Sequence, residues 1–269
     1  MPDSAIALNA VDLVLAAGLV LAAGAVSFAL RLGLEKTLGI AAIRTVVQLL
    51  LVGIVLRWVF DLDSLAAVGC TALLMAAAAC VAAVKRPART FRGVTPRAFL
   101  TLVASGFTTA VTVTAVVVGV EPWYKAQYII PLLGMILGNG LTSLSLCLDY
   151  LLETLSDRRE VVEMELALGA TRWEAARGPL AEAVRRAMIP TINAMMVVGI
   201  VALPGMMTGQ ILQGADPLSA VKYQIVVMFM LAAATALSSI IMALLVYRRL
   251  FSSRHQLRAD LIRRRPPAC

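Results

Sequence analysis

Long apolar runs alternate with short polar ones along this chain. A helix needs about 20 apolar residues to cross the hydrocarbon core of a bilayer. Seven windows reach that length: about Val11 to Leu30, Leu38 to Val59, Leu65 to Val84, Ala98 to Val120, Tyr128 to Leu148, Ile189 to Leu212 and Tyr223 to Tyr247. Most separators are short. They include the turns Arg31 to Thr37 and Phe60 to Ser64, the basic loop Lys85 to Arg97 with Pro87 and Pro96 as breakers, and Glu121-Pro122. The stretch from Asp157 to Pro190 differs in being charged over its length and also patterned. Leu155, Val162, Leu166, Gly169 and Trp173 recur at spacings of three, four and seven, which places them on one helical face, while Glu153, Asp157, Arg159 and Glu160 fall mostly elsewhere. Gly169, free to take positive φ, ends that helix, and Thr171 with Glu174 three residues on has the form of a capping box that starts another. The pattern predicts helix, tight corner, helix. Such a corner suits docking into a partner's groove; a solvated helical hairpin without a partner is the plainer alternative.

Composition turns this pattern into a class. Of 269 residues, 60% are hydrophobic and only 15% are charged, too apolar a balance for an ordinary soluble domain. The expectation is an all-α polytopic transmembrane bundle of about seven spans. It forms one domain over residues 1–269, with a charged segment at about 150–188 and a basic tail at 248–269. The net charge of +8 does not indicate nucleic acid, because the basic residues sit at the ends of apolar windows, where they act as topology signals. With the N-terminus outside, the loops 31–37, 85–97 and 149–188 and the tail carry 2, 5, 6 and 7 Lys or Arg, which is 20 of the 24. That asymmetry predicts an N-out, C-in arrangement and makes the charged stretch cytoplasmic. A cleavable signal peptide is not expected, since the first Lys or Arg is Arg31 and the first apolar run is long enough to span.

Several chemistries lack their parts. There is no glycine-rich loop followed by Lys and Ser or Thr, no His-Glu-x-x-His and no Gly-x-Ser-x-Gly, and the single histidine, His255, lies in the tail. The four cysteines, Cys70, Cys80, Cys147 and Cys269, show neither zinc nor disulfide spacing. Transport driven by something else remains, or a membrane scaffold that recruits a cytoplasmic partner.

Glu163 to Thr171, Glu-Met-Glu-Leu-Ala-Leu-Gly-Ala-Thr, resembles the EAA-type cytoplasmic loop of ABC transporter permeases, in which a Glu precedes a Gly by six positions. Met164 and Glu165 stand where that loop has two alanines, and Pro179 and Pro190 fall outside its usual downstream spacing. Further segments extend the likeness: Arg44 to Gln48 with Val52-Gly53, Gly134 to Asn139, Leu166 to Thr171, Leu203 to Gly209, Asp216-Pro217, Lys222-Tyr223-Gln224 and Arg254-His255-Gln256-Leu257. Together they are similar to the FetB family of bacterial iron-exporter permeases, relatives of plant aluminium-resistance permeases. The resemblance implies the membrane subunit of an ATP-driven exporter, in the inner (plasma) membrane, as a homodimer with a separate cytoplasmic ABC ATPase. No cofactor would be bound by this chain, and ATP-Mg would sit on the partner. It implies iron as cargo; a sugar nucleotide is the alternative drawn from the plant branch.

On that reading Glu163, Leu166, Ala167, Gly169, Ala170 and Thr171 form the corner that couples to the ATPase. Candidate path residues are Arg44, Gln48, Asn139, Pro204, Met206, Met207 and Thr208. Each has a plainer role. Arg44, about six residues into its span, fits snorkelling or structural pairing, and Gln48 and Asn139 fit interhelical hydrogen bonding. Thioethers suit soft ions such as Cu(I) better than iron, so core packing covers most methionines. Pro204 lacks an N–H and clashes with the carbonyl four residues back, so a kink is expected that frees the Ile200 carbonyl.

Overall fold

The computed structural model describes residues 9–62 and 64–265. Cys269 and Asp63, the latter within the predicted Phe60 to Ser64 turn, lie outside the described residues. The helices are α1 (Ala10–Ala29), α2 (Glu35–Leu62), α3 (Leu65–Lys85), α4 (Val94–Val111), α5 (Ala126–Asp157), α6 (Arg159–Ala167), α7 (Arg172–Val197), α8 (Gly205–Leu212) and α9 (Pro217–Leu250). A π-helical segment, Thr112–Val118, prolongs α4. Two short strands, β1 (Arg89–Phe91) and β2 (Ile262–Arg264), pair antiparallel, with Arg89 opposite Arg264 and Phe91 opposite Ile262.

Among the described residues six helices are long and apolar enough to cross a membrane: α1, α2, α3, α4 with its π segment, α5 and α9. The seventh apolar window, Ile189 to Leu212, is laid out differently. It comprises the end of α7, an irregular stretch from Val198 to Pro204, and α8. The chain nevertheless runs the length of the bundle here. α7 starts beside the C-terminal end of α9, where the Trp173 and Tyr247 rings meet edge to face at 5.5 Å, whereas α9 begins at the opposite end, with Asp216 as its N-cap. The chain from Arg172 to Asp216 therefore covers the same depth as α9. The kink expected at Pro204 is instead a full break, and Ile200 lies outside any helix. Gly199 takes φ +83°, its N–H donates to the Ala202 carbonyl at 2.9 Å, and Pro204, with ψ 144°, becomes the N-cap of α8. Proline needs no partner for an N–H it lacks, which suits it to the start of a helix.

The packed body is α3, α4, α5, α7 and α9, and α5, α7 and α9 pack closely on one another. One half of its core, around Leu144, Leu148, Leu151, Met242 and Val246, lies toward the α6 corner; the other, around Val59, Ala126, Ile129 and Val227, lies at the far end. Buried hydroxyls cross-link the helices. Ser143 and Ser238 share a hydrogen bond at 2.9 Å, and Ser145 donates to the Ala83 carbonyl at 3.0 Å. Small side chains allow such close approach, which replaces the hydrophobic drive that lipid does not supply between helices.

α1 and α2 form a hairpin against each other and touch the body chiefly where α2 ends at buried Val59. Nearly every described residue of both is exposed. Three basic segments meet at the corner end. Buried Arg89 pairs with Asp157 at 2.7 Å, the Ala88 N–H donates to Asp149 at 3.0 Å, and the tail closes over both through β2. The clustering of basic residues in separate loops thus reflects one shared end of the bundle.

Candidate functional site

The α6–α7 corner is built from backbone rules. α5 stops at Asp157 and α6 restarts at Arg159, held inward by Val162, which is 3% exposed. At the other end of α6, Gly169 has φ +97°, a value that suits glycine alone. The Gly169 N–H donates to the Leu166 carbonyl at 3.2 Å and the Ala170 N–H to the Glu165 carbonyl at 3.1 Å. This is the two-bond pattern of a Schellman stop. Two residues later the capping box forms. The Glu174 N–H donates to Thr171 Oγ1 at 3.3 Å, and the Thr171 N–H and hydroxyl each donate to Glu174 Oε2 at 2.7 Å. These bonds, the Thr171 N–H first and its hydroxyl next, hold the Glu174 carboxyl below its ordinary range.

Of the residues expected at this corner, Ala167, Gly169 and Thr171 are exposed, while Glu163, Leu166 and Ala170 are half-buried. Glu163 is held by Arg159 at 2.7 Å, an exposed pair one turn apart, an arrangement that adds little stability. The large apolar side chains presented most openly are Leu168, 80% exposed, and Met164, 55% exposed. Neither is among the coupling residues expected from the sequence. The available signal was their position off the Leu155, Val162 and Leu166 face, which makes them apolar residues aimed at solvent. A corner locked on both sides, with an apolar tip, can enter a groove without ordering itself first.

The expected path residues do not converge. Arg44 and Gln48 lie on the exposed surface of α2. Asn139 is half-buried in α5 and its Nδ2 donates to the Met135 carbonyl at 3.1 Å. Thr208 Oγ1 donates to the Pro204 carbonyl at 3.1 Å, and Met207 is half-buried. Met206 alone among them lines a cavity of about 260 Å³ between α5, the π segment, α8 and α9, with Met135, Gln210, Tyr128 and Tyr223. Two polar groups there were missed. Gln210 Oε1 is buried without a partner among the described residues, and Pro131, inside α5, has no N–H to give the Gln127 carbonyl. The cavity therefore offers oxygen and sulfur donors, and no charged side chain among the described residues lines it. It lies at the end of α5 opposite the corner: Pro131 and Asp157 are 26 residues apart, about 39 Å along a helix.

Among the described residues no group of three or more His, Cys, Asp or Glu is placed to hold a metal ion. Two of the cysteines are tied to helix packing: Cys80 Sγ donates to the Thr95 carbonyl at 3.4 Å and Cys147 Sγ to the Ser239 carbonyl at 3.6 Å.

Residues 10–251 match the model of an uncharacterised protein family, UPF0014. The chain is 34% identical over 246 residues to the probable iron export permease protein FetB of Escherichia coli, covering 91% of this chain and 93% of that protein. It is 35% identical over 238 residues to the membrane protein YjkA of Bacillus subtilis, covering 87% and 92%. Protein ALUMINUM SENSITIVE 3 of Arabidopsis thaliana is 31% identical over 235 residues, covering 87% and 85%. No solved structure matches the chain.

Proposed function

Because the chain belongs to the UPF0014 family, we propose that it is the permease subunit of an ATP-driven ABC transporter that exports iron or another metal from the cytoplasm. It is a multi-pass membrane protein, with six continuous apolar helices of spanning length among its described residues and relatives named as membrane proteins or as a permease. The printed name of the Escherichia coli relative supplies the cargo and direction of this reading. On this account the whole chain is one inner-membrane domain, N-terminus out and C-terminus in, with 20 of 24 basic residues on the cytoplasmic side. ATP-Mg binds and is hydrolysed on a separate cytoplasmic subunit, and this chain contributes no catalytic residue.

The observation that carries the reading is the corner. It projects an apolar tip, Met164 and Leu168, from a turn fixed by a Schellman stop on one side and a capping box on the other. It is rooted in α5 and α7, which pack on α9, so a push on the tip reaches three helices. Glu163, Leu166, Ala167, Gly169, Ala170 and Thr171 are its coupling residues in this proposal.

The far cavity, with Met206, Met135 and Gln210, supplies the outer part of the path. The break between Val198 and Pro204 leads into α8, which supplies Met206 and Gln210 to that cavity. Non-helical backbone at membrane depth is tolerated only where protein or a water-filled cavity receives it; the break is exposed, with Ile200 87% and Val201 81% exposed, so on this reading a neighbouring subunit or the path must cover it.

The assembly is a homodimer. Arg44 and Gln48 are exposed one turn apart on α2, which has a single buried residue, Val59, among those described. A guanidinium facing lipid is costly, and such residues normally face a bundle interior or cavity. A second copy meeting α1 and α2 would provide one.

Purification with the ATPase tests the reading. The complex should hydrolyse ATP faster when the exported metal is present, and a cysteine at Gln48 should cross-link two copies. A scaffold would bind its partner with no effect on hydrolysis, and that result would overturn the transporter reading.

A further inference from the structure

The segment Arg254 to Leu257 has no part in the function so far, yet it reaches the coupling corner from the far end of the sequence. The first N–H groups of a helix have no partner inside it. At α7, two of the groups at this start are satisfied locally by the capping box. The N–H of Arg172, first residue of α7, is satisfied from 83 positions away: it donates to Nδ1 of His255 at 2.8 Å.

His255 is held to do this. Its backbone has φ +55°, a left-handed conformation uncommon outside glycine, with Asn, Asp and His the residues that enter it most readily. The turn around it is closed on each side. The Ser252 N–H donates to the Gln256 carbonyl at 2.9 Å, the Arg258 N–H to the Leu250 carbonyl at 2.7 Å, and Ser252 Oγ accepts from the N–H groups of Arg254 and Gln256. Phe251 and Leu257 bridge across the turn and are buried in the core half nearest the corner. Beyond it, β2 pairs with β1, and the Arg265 N–H donates to the Ala88 carbonyl at 2.9 Å. A second link runs beside the first. The Arg172 guanidinium lies over the Tyr247 ring at 5.8 Å, and Tyr247 packs edge to face on Trp173 and at a tilt on Phe251.

We propose that residues 251–265 are a strap that holds the coupling corner to the last membrane helix, and that His255 is its positioning residue through the Arg172 N–H. The strap makes the start of α7 and the end of α9 move as one body, so force on the corner reaches α9 directly as well as through α7. This rests on the coupling role proposed for the corner. A tail of seven basic residues would need none of these contacts if it served only as a topology signal.

The test uses the full chain with its ATPase and substitutions on both partners of the bond. His255→Gly keeps the left-handed backbone free of strain and removes the acceptor. His255→Asn also tolerates that backbone and places Oδ1 where Nδ1 stood. Arg172→Pro removes the donor at the first helical position, where proline is favoured and where Thr171, at ψ 156°, already has the extended backbone that must precede it. Arg172→Ala keeps the N–H and controls for the guanidinium.

Hydrogen exchange at the Arg172 amide of the permease alone should be about fivefold faster in His255→Gly, the factor set by one hydrogen bond of ordinary net strength, and near wild type in His255→Asn. Metal export per ATP hydrolysed should fall severalfold in His255→Gly and Arg172→Pro, no further in the double variant, and stay near wild type in His255→Asn and Arg172→Ala. Unchanged exchange in His255→Gly overturns the strap. Faster exchange with unchanged export per ATP overturns the positioning role. If the wild-type chain neither binds nor stimulates an ATPase, the transporter reading falls together with the coupling half of this proposal, and the exchange measurement still decides the strap.

Discussion

Replacing Gly169 isolates the conformation of the corner from its contacts. A Cβ built at Gly169 meets nothing within 4 Å, so in the free chain a substitution acts through backbone strain alone. The observed φ of +97° lies beyond even the left-handed basin at about +50 to +70° that Asn tolerates. Alanine there should cost about 1–2 kcal/mol, and valine, branched at Cβ, more. That range is a factor of roughly 5–30 in the equilibrium constant between the formed and the unformed corner. The loss stays local, because α6 has nine residues and contributes one buried side chain, Val162, to a body held by α5, α7 and α9. Membrane insertion and thermal stability should therefore be near normal. If the ATPase accepts only the formed corner, its apparent affinity falls with the formed fraction, by at most the same factor. Titrating solubilised variants with the ATPase should give a Kd raised by up to about 5–30-fold for Gly169→Ala, higher still for Gly169→Val, and intermediate between wild type and alanine for Gly169→Asn, with export falling in the same order. Wild-type binding and export by the alanine and valine variants would refute the corner as the docking element.

Three further outcomes follow from the geometry. Single cysteines at Glu160 and Gln213, both exposed, should react with an impermeant reagent from opposite sides of the membrane; labelling from the same side in intact cells would remove the seven-crossing arrangement. Gln210→Leu replaces a buried amide oxygen that has no partner among the described residues, so thermal stability should be unchanged or raised while export falls about fivefold or more, the value of one lost ligand contact of about 1 kcal/mol; unchanged export would remove the cavity from the path. Glu174 has its folded-state carboxyl pKa lowered by the Thr171 bonds, so its contribution to the corner is complete above the ordinary value of 4.5 and is lost as pH falls through the lower folded value. ATPase binding should weaken over that acidic range in the wild type, and Glu174→Gln should lack this limb of the profile; an identical acid limb in the variant would show that another group governs it.

The corner was legible because its determinants are local. A glycine at the end of the helix and Thr171 three residues before Glu174 act within a turn or two, and the structure forms the stop and the cap where they predict them; the one helical face expected from Leu155 to Leu166 is divided at Arg158, with Leu155 on α5 and Val162 and Leu166 on α6. The spans were legible for the same reason, apolar length being a sequential property. The strap was not. Its two strands are three residues each and lie far apart in the chain, with Arg89 opposite Arg264 and Phe91 opposite Ile262, so only a fold that brings both segments to one end reveals the pairing. The break before Pro204 was half legible. The proline marked a disturbance, but Gly199 at φ +83°, five residues earlier, decides that the helix stops there. The Met206 cavity depends on α5, the π segment, α8 and α9 meeting, and no periodicity in one of them announces the others.

The most direct test of the central claim is ATP-driven transport by the purified chain with its co-purifying ATPase in lipid vesicles. With the corner and ATPase facing outward, ATP-Mg should drive iron, or another metal of the same assay panel, into the vesicle lumen, and both ATP and the ATPase should be required. Metal uptake that proceeds equally without ATP, or ATP hydrolysis with no metal entering, would contradict the account.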